Sequence, residues 1–69
     1  MEMRQQLIEA SKEQFRAHIT KHRMNIEVIL NNPTAIQEHA DIMDAIEKEA
    51  AYIAEYMDKL EVMEKYFKE

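Results

Sequence analysis

Apolar side chains recur along the first part of the chain with the spacing of a helix. The sequence steps between them are 7, 4, 7 and 3 residues, and one histidine lies in the same register. Such steps place side chains on one face of an α-helix. We therefore predict one helix over about residues 2–30, with its main apolar face at Ile8, Phe15, Ile19, His22, Ile26 and Ile29.

The same segment carries a second apolar stripe. Its members are Met3, Leu7, Ala10, Ala17, Met24 and Val28. At 100° per residue, this stripe lies roughly opposite the first. A helix that is apolar on two sides needs two partners, and a single neighbouring helix covers only one of them.

The second segment, about residues 36–67, has a cleaner pattern. Apolar residues alternate steps of 3 and 4 over about four heptads, as in a coiled coil, and Glu64 interrupts them. Ile42, Tyr56 and Met63 widen this face, with Tyr52 and Tyr66 near its edge. The seam runs through Ile36, His39, Met43, Ile46, Ala50, Ile53, Met57, Leu60 and Phe67.

The sequence Asn-Asn-Pro-Thr at 31–34 separates the two segments. Asparagine tolerates the left-handed conformation that ends a helix, and the residue before proline avoids the α conformation, so we expect a turn at about 31–35. The second helix has three possible starts. Asn32 could cap it with Pro33 in the first position, Thr34 and Gln37 have the spacing of a capping box, or the helix could begin near residues 39–41.

Length and composition favour self-association. The 69 residues include no Gly and no Cys, which argues against tight hairpin turns and excludes disulfides. A single domain of this size rarely folds alone without a disulfide, a metal or oligomerisation. We predict one all-α domain, 1–69, an antiparallel helical hairpin that assembles into a four-helix or larger bundle, with a homodimer favoured over a hairpin that binds a different protein and over a monomer. The expected core and interface residues are Ile8, Phe15, Ile19, His22, Ile26, Ile29, Met43, Ile46, Ile53, Met57, Leu60 and Phe67.

Charge is unevenly distributed between the two segments. Residues 1–31 hold five basic and four acidic side chains, whereas residues 32–69 hold four lysines and ten acids. The acidic half opposes contact with nucleic acid phosphates. A basic strip on the first helix, with Lys12, Arg16, Lys21 and Arg23, is the one candidate for phosphate contact, and a small nucleic-acid-associated or regulatory protein is the alternative function.

Candidate metal ligands are sparse. His18 and His22 are four residues apart on one helix, and His39 could join them from the other. A di-metal bundle needs Glu-x-x-His motifs, and no histidine here follows a glutamate by three residues. Glu49 and Glu64 lie on or beside the apolar seam, where each would approach its symmetry mate in a two-fold assembly or sit at the bundle edge. We expect no metal, no cofactor and no enzymatic activity.

The second segment also resembles a known group of proteins. The resemblance is carried by the stretch EHADIMDAIEKEAAYIAEYMDKLEVMEKYF at 38–67. Its pattern is Glu-His, then Asp and Ile or Val before Met, a helical run, Ile-Ala-Glu-Tyr and a closing Lys-Tyr-Phe. This pattern is similar to small helical proteins encoded by tailed phages of marine cyanobacteria. The resemblance implies a phage origin and assigns no site.

The sequence also bears on location and role. The first residues carry charges throughout and include no apolar run typical of a signal peptide, and no stretch is long enough to span a membrane. We therefore expect a cytoplasmic protein, in the host cytoplasm if it is phage-encoded. The expected function is non-enzymatic, as a structural or protein–protein interaction factor.

Overall fold

The computed structural model describes residues 2–32 and 39–68, with the side chains of 2–32 and 41–68. Within this part the chain forms two helices, α1 (Met3–Asn31) and α2 (His39–Tyr66), which pack along their lengths. The predicted all-α helical hairpin is confirmed. The proposed caps at Asn32–Pro33 and at Thr34, most of the 31–35 turn, and Ile36 lie outside the described residues.

The helices run antiparallel, as their contacts show. Moving forward along α1 from Phe15 to His22, the partners on α2 move backward from Tyr56 through Tyr52 to Glu49. The resulting rod measures 51 × 17 × 12 Å, with a radius of gyration of 15.8 Å. A compact chain of this length would have a radius of about 11 Å, so the hairpin is strongly elongated.

Local sequence explains the helix ends only in part. Residue Asn32 has φ −146° and ψ 56°, so α1 stops without a left-handed residue there, and the Asn32 backbone N–H donates to the Ile29 carbonyl oxygen at 3.3 Å. The Asn31 side chain donates to the Glu27 carbonyl oxygen at 2.8 Å. Helix α2 carries Asp41 in its first turn and Lys65 in its last, which both suit the helix dipole.

Very little of the described chain is enclosed. Ile8 is the one buried hydrophobic residue, and His22 is the one buried polar residue. A second group of side chains lies half-buried between the helices, and its apolar members are Phe15, Ile19, Ile26, Ile29, Ile42, Ala45, Ile46, Ile53, Tyr56, Leu60 and Met63. Met43, Met57 and Phe67, expected in the core or interface, are exposed in the hairpin.

The face of α2 that packs on α1 is therefore shifted around the helix from the seam that the sequence predicts. The line that faces α1 runs through Ile42, Glu49, Tyr56 and Met63, together with the shared isoleucines. Met43 and Met57 lie on the flank, exposed by 66% and 56%. The second apolar stripe of α1 is also exposed, as expected of a helix with a single neighbour. No helix in the described residues is long and apolar enough to cross a membrane.

We predict that Ile8→Ala lowers the free energy of unfolding by about 2 kcal/mol, the lower end for deleting a buried isoleucine, because the surrounding layer is shallow. Denaturation followed by circular dichroism at one fixed protein concentration measures this. The control is Leu30→Ala, which truncates a side chain that is 58% exposed and should change stability little. Equal losses in the two variants would contradict the assignment of Ile8 as a core residue.

Candidate functional site

A histidine and a glutamate face each other between the helices, near the middle of the hairpin. His22 belongs to the inner line of α1, and Glu49 occupies the corresponding line of α2. The imidazole Nδ1 lies 2.7 Å from Glu49 Oε1. Only 9% of the His22 side chain and 19% of the Glu49 side chain are exposed, so this pair is better shielded from water than the pairs that Glu9, Glu55 and Glu64 form with lysine or arginine.

Asn25 completes the polar cluster, one turn along α1 from His22. Its Nδ2 donates to the same Glu49 oxygen at 2.8 Å. An ionised carboxylate only accepts hydrogen bonds, so the Nδ1 atom of His22 carries the proton and donates it. The cluster holds the pKa of Glu49 below its ordinary value, chiefly through the His22 hydrogen bond and then the Asn25 hydrogen bond, while burial opposes the shift.

Two stacked ring pairs flank the cluster. The His22 ring stacks on Tyr52 at 4.5 Å between centroids, and the His18 ring stacks on Tyr56 at 4.2 Å. In both pairs the ring planes are nearly parallel, at 13° and 10°. Phe15 extends the series with a tilted contact to Tyr56 at 6.2 Å. We call His18, His22, Tyr52 and Tyr56 the aromatic side of the hairpin.

The arrangement provides structure more clearly than it provides chemistry. A carboxylate-bound imidazole can act as a base at its free Nε2 atom, yet no nucleophile lies beside it among the described contacts. No group of three or more His, Cys, Asp or Glu side chains within the described residues could hold a metal ion. Of the three histidines considered as ligands, His18 stacks on Tyr56 and His22 bonds to Glu49, and the side chain of His39 lies outside the described set.

The two seam glutamates both find partners within the hairpin. Glu49 bonds to His22 and Asn25, and Glu64 lies 3.7 Å from the guanidinium of Arg16. Neither residue needs a symmetry mate to satisfy its charge. The Arg16–Glu64 pair is about half exposed, so it adds little to stability.

The structure divides the basic strip predicted for phosphate contact. Lys12 lies 3.6 Å from Glu9, and Arg16 pairs with Glu64. Lys21 and Arg23 are exposed. At 100° per residue Lys12, Arg16 and Arg23 lie on one side of α1 and Lys21 lies on the opposite side, so the four cations do not form one continuous surface.

Two residues at this site, Asn25 in the polar cluster and Tyr52 on the aromatic side, are not among the candidates that the sequence indicates. Asn25 gave a usable signal, because it lies three residues after His22 and therefore on a neighbouring part of the same face. Tyr52 was placed only at the edge of the α2 face. Its stacking on His22 depends on how α2 is rotated, which spacing within one helix does not specify.

Comparisons with protein-family models, with curated proteins and with solved structures find no match to this chain. What the chain does must therefore be inferred from its own residues and their geometry.

We predict that Glu49→Gln destabilises the hairpin at neutral pH, because the amide loses the charge that His22 and Asn25 stabilise. The pKa of Glu49 is lowered in the folded state, so its contribution is fully present above the ordinary pKa near 4.5 and is lost as the pH falls through the lower folded-state value. The stability gap between wild type and variant should therefore close in acid, as urea denaturation across a pH series would show.

The matched control is Glu47→Gln, on the same helix at an exposed position. It should show no gap that closes with acid. A gap for Glu49→Gln that stays constant to the lowest pH would contradict the ionic role of Glu49.

Proposed function

We propose that this protein is a non-enzymatic, self-associating helical-bundle protein that acts as a structural or protein–protein interaction factor. The observation that carries the proposal is the amount of apolar surface left open by the hairpin. Exposed patches of this kind mark interaction sites in soluble proteins. The exposed large hydrophobic residues are Met3, Leu7, Met24, Val28, Leu30, Met43, Tyr52, Met57, Val62, Tyr66 and Phe67.

The accessible surface gives this excess a magnitude. The chain exposes 5554 Å², whereas a compact monomer of its mass would expose about 4,600 Å². The excess of about 1,000 Å² resembles the roughly 800 Å² that each partner buries in a standard protein–protein interface. One further contact of ordinary size would therefore bring the chain to normal burial.

One side of the hairpin suits this contact. Ile19 follows His18 by one residue, and Ile53 follows Tyr52, so each is turned by about 100° from the aromatic side. Because the helices are antiparallel, these two turns place Ile19 and Ile53 on the same side of the hairpin, opposite the aromatic side. We call this surface the aliphatic face, and it consists of Ile19, Ile26, Met43, Ile46, Ala50, Ile53 and Met57.

A second hairpin packed on the aliphatic face would form a four-helix bundle. Two-fold symmetry is the simplest arrangement, because one self-complementary surface then serves both copies. The aliphatic face brings together half-buried isoleucines from both helices with the exposed Met43 and Met57.

The resemblance of residues 38–67 to cyanobacterial phage proteins supports a phage-encoded chain that works in the host cytoplasm.

The alternative function as a nucleic-acid-associated protein has less support. Lys12 and Arg16 already pair with carboxylates, and the chain carries a formal net charge of −5. Phosphate binding depends on free Lys and Arg side chains, so the basic strip offers little affinity.

We expect sedimentation equilibrium to show a dimer or larger assembly at micromolar concentration. Ala50→Glu should raise the dissociation constant of this assembly at least tenfold, which corresponds to about 1.4 kcal/mol. Ala50 lies within the aliphatic face and is exposed in the hairpin, so the variant should keep its helical content.

The control is the adjacent Ala51→Glu, the same substitution at an exposed position turned by about 100° from Ala50, on the far side of α2 from α1. It should leave association unchanged. A wild-type chain that is a folded, cooperatively unfolding monomer at micromolar concentration would overturn the proposed function.

A further inference from the structure

Helix α1 carries a second unpartnered surface, on its outer side. Its positions alternate steps of 4 and 3 along the whole helix, and every one of them is exposed in the hairpin. This is the repeat of a coiled-coil seam, although it lies outside the face of α1 that packs on α2. We call it the outer stripe, and it consists of Met3, Leu7, Ala10, Gln14, Ala17, Lys21, Met24 and Val28.

The outer stripe is self-complementary when it is reversed. Large apolar residues occupy both ends, and small or polar residues occupy the middle. In an antiparallel pair centred between Gln14 and Ala17, Met3 meets Val28 of the second copy and Leu7 meets Met24. Ala10 and Ala17 let the helix backbones approach closely at the centre, toward the lower end of the usual 8–10 Å separation.

Charge favours the same orientation. A parallel pair in register would set Lys21 against Lys21 of the second copy, and facing like charges destabilise a seam. The antiparallel pair sets Lys21 against Ala10 instead. There the long side chain can lie over the alanine and reach toward Glu13 of the second copy, which borders the stripe.

A groove lies at the open end of the hairpin, beside the Met3 end of the outer stripe. In the antiparallel pair this is the end that meets Val28 of the second copy. The groove has a volume of about 510 Å³, and its lining is almost wholly apolar. Met3 and Leu7 belong to both the groove and the outer stripe, while Met63 of α2 and Phe67, just after the end of α2, form the opposite wall. The antiparallel register brings Met24 and Val28 of a second copy to its mouth.

We propose that α1 pairs antiparallel with α1 of a second copy through the outer stripe, and that Met24 and Val28 of each copy seat in the end groove of the other. The inference rests on the proposed function, since it presupposes a self-associating chain. The outer stripe and the aliphatic face lie on different sides of the hairpin, so both contacts can form together. Two distinct two-fold contacts generate a closed tetramer or an open chain of hairpins.

Disulfide trapping tests the orientation, because the natural chain contains no Cys. Leu7→Cys and Met24→Cys chains are mixed, equilibrated in a glutathione redox buffer and separated by mass. We expect the mixed Leu7→Cys/Met24→Cys disulfide to exceed the proportion given by random collision. Predominant Leu7→Cys homodimers would show parallel pairing and overturn the inference. Ala51→Cys, on the far side of α2, serves as the uncrosslinked control.

A charge introduced into the stripe tests the contact itself. Ala17→Glu should reduce the mass of the assembly in sedimentation equilibrium, while Ala51→Glu should not, and both positions are exposed in the hairpin. An oligomeric wild type that Ala17→Glu leaves unchanged, with no mixed disulfide, would overturn the outer-stripe contact and leave the proposed function standing. A monomeric wild type would overturn both.

Discussion

Two helices in contact can enclose only the side chains that lie along the line between them. Among the side chains that the structure describes, that line yields one buried hydrophobic residue, Ile8, and one buried polar residue, His22. A third or fourth helix would be needed to cover the flanks of the line. The elongated shape, the half-buried isoleucines and the exposed methionines all follow from this geometric limit.

The same limit explains why a polar cluster lies at the centre of the molecule. Apolar seams with a seven-residue repeat can slide by one heptad and still match, so hydrophobic contacts fix the register weakly. A shift of seven residues would set Glu49 against Phe15 or Ile29 and remove its bonds to His22 and Asn25. A buried polar group left without a partner costs about 1–3 kcal/mol, which is large for so small a core.

The aromatic side strengthens this choice of register. His22 stacks on Tyr52 while it bonds to Glu49, and His18 stacks on Tyr56 one turn away. Each ring therefore has a partner only when the helices are aligned and rotated as observed. The cluster contributes to specificity in the way that a buried asparagine does in a coiled coil, by penalising other alignments.

Features of the fold that depend on spacing within one helix could be predicted from the sequence, whereas features that depend on contacts between the two helices could not. The existence of two helices and the inner face of α1 follow from local spacing, because Ile8, Phe15 and His22 repeat every seven residues. The rotation of α2 does not follow. Its apolar face is wide enough to present either Met43 and Met57 or Ile42 and Tyr56 to α1, and contacts with His18 and His22 in the other helix decide between them.

The candidate site shows the same division. Spacing places Glu49 on or beside the apolar seam of α2, yet spacing does not indicate its partner, because His22 lies 27 residues away in the sequence. The two alternatives that the sequence leaves open, a glutamate near its symmetry mate or one at the bundle edge, do not include a partner on the other helix of the same chain. With Glu49 satisfied inside the hairpin, the surfaces left for assembly are apolar ones.

This matters for how copies would assemble. Glu49, His22 and Asn25 bond to one another within one chain. An association through the proposed aliphatic face would therefore gain its specificity from shape and from other charges. The outer stripe has a device of this kind in Lys21, which tolerates an alanine opposite it but disfavours a copy of itself. The rotation of α2 leaves Met43 and Met57 outside the hairpin core and makes them available at the aliphatic face. One internal choice of register thus determines which surfaces a second copy can meet.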